Sequence, residues 1–378
     1  MKNQPIYLDN AATTPIDEEV LNEMKRQLEF NYGNPSSIHS LGRTARSTVE
    51  KARKTIAQNL GVSIGEIYFT SGGTEANNMA IIGSVRDLGI QHIITSRVEH
   101  PSVLKAMAYV MEKYNTKVEY VRLEELGRPD VADLREKLKH TTSKTLVSLM
   151  HANNELGTKI ELNEIAMICS EHNALFHSDT VQTMGYYEMD FNHTPVSFAA
   201  ASAHKFYGPK GVGFIYMSNK NIVSPLIMGG GQERGMRSGT ENIAGIVGLA
   251  KAFEKMVQNR QAYLSKMTSL RAYAVQCLST EIPSIEIAHP LGTNSHVKVI
   301  HLILPDIPKA ELIVLNLDID GICVSGGSAC SSGAEKTSHV IDEISPEDTR
   351  KHLRVSISHL NTREEIDHLV QRLKIHLT

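Results

Sequence analysis

The chain has little of what would commit it to a membrane, a nucleic acid or a disulfide scaffold. Its 378 residues hold four cysteines, Cys169, Cys277, Cys323 and Cys330, and none falls in the C-x-x-C spacing of a zinc site or redox pair. In a reducing compartment all four are expected as free thiols. No segment stays apolar long enough to span a bilayer, and the opening M-K-N-Q-P-I-Y-L-D-N lacks the apolar stretch of a secretory signal. No membrane association is expected, and a cytoplasmic location follows by default. Charge of one sign is scarce too. The net charge is −3, with no long run of Lys or Arg, so nothing draws the chain to a phosphate backbone and no direct nucleic-acid contact is expected. Internal repeats and long polar tails are also missing.

What is present is a soluble globular composition, 41% hydrophobic, in a chain too long for one ordinary core. Seven β-rich runs, at 66–70, 92–96, 117–121, 145–150, 174–178, 196–201 and 212–216, alternate with helical patterns. That alternation predicts an α/β fold: a mostly parallel seven-stranded sheet flanked by helices. Residues 15–255 are read as this large domain. Residues 256–378, joined by 1–14, are read as a smaller α+β domain with strands at 297–304, 322–324 and 352–358. A helix is expected at 44–60, with Ala45, Val49, Ala52 and Ile56 on its buried face, a Glu50/Lys54 pair outside and Gly61 as its stop. Leu264, Met267, Leu270, Ala274 and Cys277 mark a long helix, and Thr362 with Glu365 forms a capping box before the last one.

Ligands on such sheets gather at the carboxyl ends of the strands, and there the sequence is richest. The run at 66–70 enters S-G-G-T-E-A-N-N and then a helical pattern. A Gly-rich turn that opens a helix aims backbone N–H groups and the positive end of the helix dipole at one point, which suits a phosphate. The run at 174–178 ends at Asp179, with Gln182 one turn on, and the run at 196–201 ends in S-A-H-K-F-Y-G-P-K-G. Singly, Lys205 reads as a surface lysine beside a turn and Asp179 as a helix N-cap. Together with the phosphate cup they match pyridoxal phosphate, whose aldehyde takes a lysine, whose ring nitrogen takes a carboxylate and whose phosphate takes a helix N-terminus. His100 follows the run at 92–96 to the same edge, where an imidazole could stack on the ring and move protons. Asn154 follows the run at 145–150 and could donate to the ring oxygen, with His151 and Asn153 competing on spacing alone. Cys330 stands apart, in S-G-G-S-A-C-S-S-G, with nothing bulky beside it to bury it. Cys169, Cys277 and Cys323 fall at apolar positions and are expected in the core.

Long motifs then occur in order: Y-L-D-N-A-A-T-T-P at 7–15, Y-G-N-P-S-S-I-H at 32–39, T-S-G-G-T-E-A-N-N at 70–78, H-A-N-N-E-L-G at 151–157, S-A-H-K-F-Y-G-P-K-G at 202–211 and G-G-G-Q-E-R-G-M-R-S-G-T-E-N at 229–242. With S-G-G-S-A-C-S-S, one glycine longer than the usual S-G-S-A-C-S-S, they make the chain resemble the cysteine desulfurases. These are class V aminotransferases among the fold-type I pyridoxal phosphate enzymes, and the chain is most similar to the type with a mobile cysteine loop. The resemblance implies Lys205 as the Schiff-base lysine and Asp179 as partner of the pyridinium. It assigns Gly73, Thr74, Ser202 and His204 to the phosphate, Asn154 and Gln182 to the ring oxygen, and His100 to stacking and proton transfer. Thr240 is implied to reach the cofactor phosphate of a neighbouring subunit, hence a homodimer. Arg354 is implied to hold the carboxylate of L-cysteine, with Asn34 as helper. Sulfur would pass to Cys330 as a persulfide, leaving L-alanine, and then to an acceptor protein, an iron–sulfur scaffold or a thiolation enzyme. A selenocysteine lyase, or an aminotransferase of a small amino acid, would share most of these residues. The chain departs from the pattern at Ser358 and His359, where the family commonly has Gly and Arg.

Overall fold

Phe198–Ser202 reads F-A-A-A-S and Thr145–Ser148 reads T-L-V-S, and every residue of both is buried, as expected of strands covered on two faces. The structure is a computed structural model, and it describes residues 5–288, 292, 294–326 and 338–378. Each of the seven expected runs contributes one strand to a single sheet. Its order is Ile67–Thr70, Gly213–Met217, Phe198–Ser202, Leu175–Asp179, Thr145–Ser148, His92–Thr95 and Lys117–Tyr120. Gly213–Met217 runs antiparallel to both neighbours, and the other pairings are parallel.

The two faces follow from the two-residue period of a strand. Phe198, Ala200, Ile93, Leu146 and Ile215 pack with Met79, Ala80, Val103 and Met107 of the helices Gly73–Leu88 and Pro101–Tyr114. Their chain neighbours Ala199, Ala201, Ile94, Val147 and Phe214 join a second core on the opposite face, with Val49, Ile56, Ile165, Leu249 and Phe253. That core runs on without a break into the C-terminal third, through Ile300, Leu302, Leu353, Val355, Ile366 and Leu369. There Val299–Ile303 and His352–Ser356 pair antiparallel, flanked by Glu286–Ile287 and Ser325–Gly326. Ile6–Tyr7 pairs in parallel with Ile322–Cys323, so the start of the chain lies with its last third.

Several local expectations are corrected. The helix expected at 44–60 spans Ser40–Asn59 and begins four residues early, because the His39 ring accepts the Gly42 N–H at 3.3 Å as an N-cap. It ends where expected, with Gly61 left-handed at φ 68°. Glu50 turns from Lys54 to Arg53 and Arg234, at 3.1 and 2.9 Å. The expected long helix spans Ile243–Glu281, and the Thr362/Glu365 capping box forms. Cys169 is fully buried, but Cys277 and Cys323 are only half-covered. Cys323 sits in a two-residue strand beside a surface groove. Among the described residues no helix is long and apolar enough to cross a membrane.

Candidate active site

Parallel strands deliver their carboxyl ends to one edge, so residues far apart in sequence converge there. A cleft of about 600 Å³ opens at that edge, walled by Gly73, Thr74, His100, Asn154, Asp179, Gln182, Ser202, His204, Lys205 and Arg354, together with Ala11, Ala12 and Asn77. Ten residues singled out from the sequence thus share one wall.

The helix Gly73–Leu88 starts without a side-chain cap, so its first N–H groups have no partner from a capping side chain. Glycine is required here: a Cβ at Gly73 would lie 2.5 Å from Cγ2 of Val181, just past Asp179. The helix end and the Asp179 segment are packed too closely for any side chain.

Lys205 closes a single 3-10 turn, Ala203–Lys205, after the strand Phe198–Ser202. Its Nζ donates to the main-chain oxygens of Ala11 at 2.7 Å and Ala12 at 2.8 Å. Asp179, 6% exposed, accepts from the Val181 N–H at 3.0 Å through Oδ1 and from Asn77 Nδ2 at 2.7 Å through Oδ2. Asn77 Nδ2 also donates to Ser102 Oγ at 2.9 Å, which engages both its hydrogens. Its Oδ1 must then accept from His177 Nε2, 3.1 Å away. The proton on Nε2 leaves Nδ1 to accept from Ser148 Oγ at 2.8 Å. Burial holds the His177 pKa down to about 4 against the opposing charge of Asp179, so the ring is neutral and the chain Ser148–His177–Asn77–Asp179 has one direction.

His100 caps the helix Pro101–Tyr114: its Nδ1 accepts the Ser102 N–H at 3.1 Å and lies 2.8 Å from Ser102 Oγ. That places its proton on Nε2. Burial lowers its pKa, with Lys205 and His339 acting in the same direction against Asp179. Burial likewise brings His204 down to about 4, helped by Lys205, Lys210 and Lys298. Its Nδ1 lies 3.2 Å from Thr13 Oγ1. Gln182 donates to the Ala11 oxygen at 3.0 Å, and its Oε1 is buried without a partner among the described residues.

Arg354, with 2% of its side chain exposed, pairs through Nη2 with Asp9 at 2.8 Å and donates from Nη1 to the Asn154 oxygen at 2.9 Å. Its Nε is buried without a partner among the described residues. Of the three candidates for the ring oxygen, only Asn154 lies in the wall. Asn153 spends its amide on Val98, Glu155 and Leu156, and His151 is buried against Tyr187.

Two residues singled out from the sequence lie elsewhere. Asn34 is exposed and caps its own turn by accepting the Ser36 N–H at 2.9 Å. Thr240 is exposed in a small neighbouring depression that shares Ser71 and Gly211 with the cleft. Cys330 lies outside the described residues. Missed were Asn77, His177, Asp9 and the Ala11 and Ala12 carbonyls. His177 stands two residues before Asp179 on one strand, hence on the same face, a signal the sequence did carry.

Comparison with known proteins agrees with this geometry. Residues 6–369 match the family model described as aminotransferase class-V. A protein of Dictyoglomus turgidum named cysteine desulfurase IscS is 39% identical over 377 residues, covering 98% of this chain and 93% of its own. A Bacillus subtilis protein named putative cysteine desulfurase IscS 1 is 39% identical over 369 residues, 96% of this chain and 95% of its own. Among solved structures, a NifS-like protein superposes with a TM-score of 0.89 at 36% identity, covering 98% of this chain and 99% of its own. SspA in complex with cysteine gives 0.79 at 29% identity, covering 94% and 100%.

Proposed function

The chain belongs to the class-V aminotransferase family, and from that membership we propose that it is a pyridoxal phosphate-dependent cysteine desulfurase. The observation that carries the reading is the placement of Lys205 and Asp179 at adjacent strand ends, facing one cleft with the uncapped helix at Gly73. The wall suits the cofactor. A helix N-terminus that only glycine can form suits an anion, and Gln182 Oε1 and Arg354 Nε, buried without a partner among the described residues, suit polar groups of a ligand.

When bound, pyridoxal phosphate supplies an electron sink that labilises bonds at the carbons of an attached amino acid. The chain's own residues do the rest. Gly73, Thr74, Ser202 and His204 would hold the phosphate. Asp179 would meet the ring nitrogen, His100 would cover the ring, and Asn154 and Gln182 would lie at its oxygen. Lys205 would take the aldehyde and move a proton at its Nζ, which the Ala11 and Ala12 carbonyls orient. Arg354 binds the carboxylate of L-cysteine while Asp9 steadies the guanidinium. The Cys330 thiolate attacks the substrate sulfur: the carbon–sulfur bond breaks, a sulfur–sulfur bond forms, and the carbon gains a proton to leave L-alanine and a Cys330 persulfide. An acceptor protein, an iron–sulfur scaffold or a thiolation enzyme, then takes that sulfur. A cytoplasmic location keeps Cys330 a thiol.

The reading extends to a homodimer. Thr240 is exposed outside its own cleft, which fits a residue that completes the cofactor site of a second copy, with Asn34 assisting the substrate from a similarly exposed position. We also divide the chain into residues 15–255 and a smaller unit of 1–14 with 256–378, supported by the pairing of Ile6–Tyr7 with Ile322–Cys323.

The test is to supply L-cysteine to the purified protein and follow sulfide and alanine, with Cys330→Ala alongside. Equal yields are expected from the parent chain. Cys330→Ala should lose sulfide release and keep the visible absorbance that Lys205 confers. Undiminished sulfide from that variant overturns the persulfide route, and transamination of a 2-oxo acid instead marks an aminotransferase.

A further inference from the structure

Lys298 is fully buried, yet among the described residues no carboxylate meets it. Its Nζ donates to the main-chain oxygen of Lys205 at 3.0 Å and stands 4.2 Å from the centroid of the Tyr186 ring. The Tyr186 hydroxyl donates to that same oxygen at 3.2 Å. Two side chains thus converge on one carbonyl, at the end of a 3-10 turn only three residues long. Two residues on, Tyr207 is left-handed at φ 67°, so the helix does not continue past Lys205. Lys298 in turn is held from behind, its own oxygen accepting the Ile357 N–H at 2.9 Å. It leads directly into the strand Val299–Ile303, which pairs with the strand carrying Arg354.

We propose that Lys298 is a positioning residue for Lys205: with Tyr186 it clamps the Lys205 carbonyl and so fixes the main chain from which that side chain enters the cleft. The role rests on reading Lys205 as the cofactor lysine. Its consequence is that the groups handling the two ends of an amino acid, Lys205 and Arg354, are set in register by one small sheet.

The surroundings decide the form in which Lys298 acts. Burial pushes its amine well below the usual range, and the charged groups facing it, Lys205 and Arg354, push the same way. The other titratable groups around it, His204 and His296, are themselves held low by burial and then by neighbouring cations, Lys298 among them. The clamp donates a hydrogen to a carbonyl and rests on an aromatic face, in surroundings that disfavour charge on its amine. A methionine would keep the shape and lose the donor; a glutamine would keep a donor.

The experiment compares Lys298→Met, Lys298→Gln and Tyr186→Phe with the parent chain, each loaded with pyridoxal phosphate. Lys298→Met should lower kcat roughly 10- to 100-fold, the cost of a small misplacement of a reacting group, with KM little changed, and should shift the pH midpoint of the visible absorbance. Lys298→Gln should recover most of both. Tyr186→Phe should cost less alone, and the two losses should be non-additive because they share one acceptor. Unfolding of the cofactor-free forms gives a second readout. Below its normal pKa an unfolded lysine binds a proton more readily than the buried amine, so the parent chain loses stability as pH falls through the usual lysine range. The stability of Lys298→Met relative to the parent should therefore rise as pH falls below that range. Parent-like kcat and absorbance midpoint in Lys298→Met, or failure of Lys298→Gln to recover them, overturn the positioning role. A flat stability difference overturns the lowered affinity of the buried amine for a proton. If the parent chain takes up no pyridoxal phosphate, the functional reading fails instead, and non-additive unfolding of Lys298→Met with Tyr186→Phe still reports the clamp.

Discussion

At the scale of single residues, the side chains that touch a ligand differ from those that hold them in place. Asp179 presents two oxygens, and each already accepts one hydrogen bond, from Val181 and Asn77. Each oxygen keeps a second lone pair, which leaves room for the ring nitrogen in the proposed reading. Asn77→Ala removes one donor worth about 1.5–3 kcal/mol to a charged group. The cofactor should bind roughly tenfold to hundredfold more weakly, measured by titrating the cofactor-free protein and reading the visible absorbance. Unchanged affinity would show that the amide contributes nothing through Asp179. Lys205 and Asp179 could be read from the sequence because each ends a β-rich run and each chemistry has few substitutes. Asn77 could not, since an amide declares its role only through the geometry of its three partners. The carbonyls of Ala11 and Ala12 are further from reach, because a main-chain acceptor leaves no trace in residue type.

At the scale of elements, the loop that carries Thr240 is pinned just outside the cleft. Glu233, left-handed at φ 47°, is buried against Arg53 of the helix Ser40–Asn59, at 2.7 and 2.9 Å. Its Oε2 also accepts the Phe69 N–H at 2.8 Å. Phe69 belongs to the strand at the sheet's edge, so the carboxylate covers a main-chain donor that would otherwise invite a foreign strand. Glu233→Gln leaves the Arg53 cation buried and underpaired, which should cost about 3–5 kcal/mol, read by urea denaturation. Replacing Arg53 and Glu233 together with apolar residues should cost less than the single change; an equal or larger loss would contradict an ion pair as the cause. The seven strands were legible because doubly covered strands read as short apolar runs between turn signals. The first turn of Ser40–Asn59 was not, because histidine is an unusual N-cap and the serine after it reads as loop.

At the scale of the molecule, large apolar side chains crowd one stretch of surface. Leu28, Phe30, Tyr32 and Ile38 are 69%, 66%, 75% and 91% exposed, more than a monomer keeps in so short a segment. The same stretch includes the exposed Asn34. The protein should sediment as a dimer, and Phe30→Glu with Ile38→Glu should shift it to monomer and weaken cofactor binding. A monomer with full cofactor affinity would remove Thr240 from the shared site. Sequence alone pointed to a second subunit only through resemblance, since exposure belongs to the folded surface and not to the letters.

The stretch 7–13 meets Lys205 across 194 and 193 positions of chain and Arg354 across 345. Made earlier on the ribosome, it waits for partners that arrive 193 to 345 residues later. Such distant contacts form late, because the chain between them must first be ordered. The cleft is therefore among the last parts of the protein to take shape, and a nascent chain stalled before residue 354 carries Lys205 without its finished surroundings.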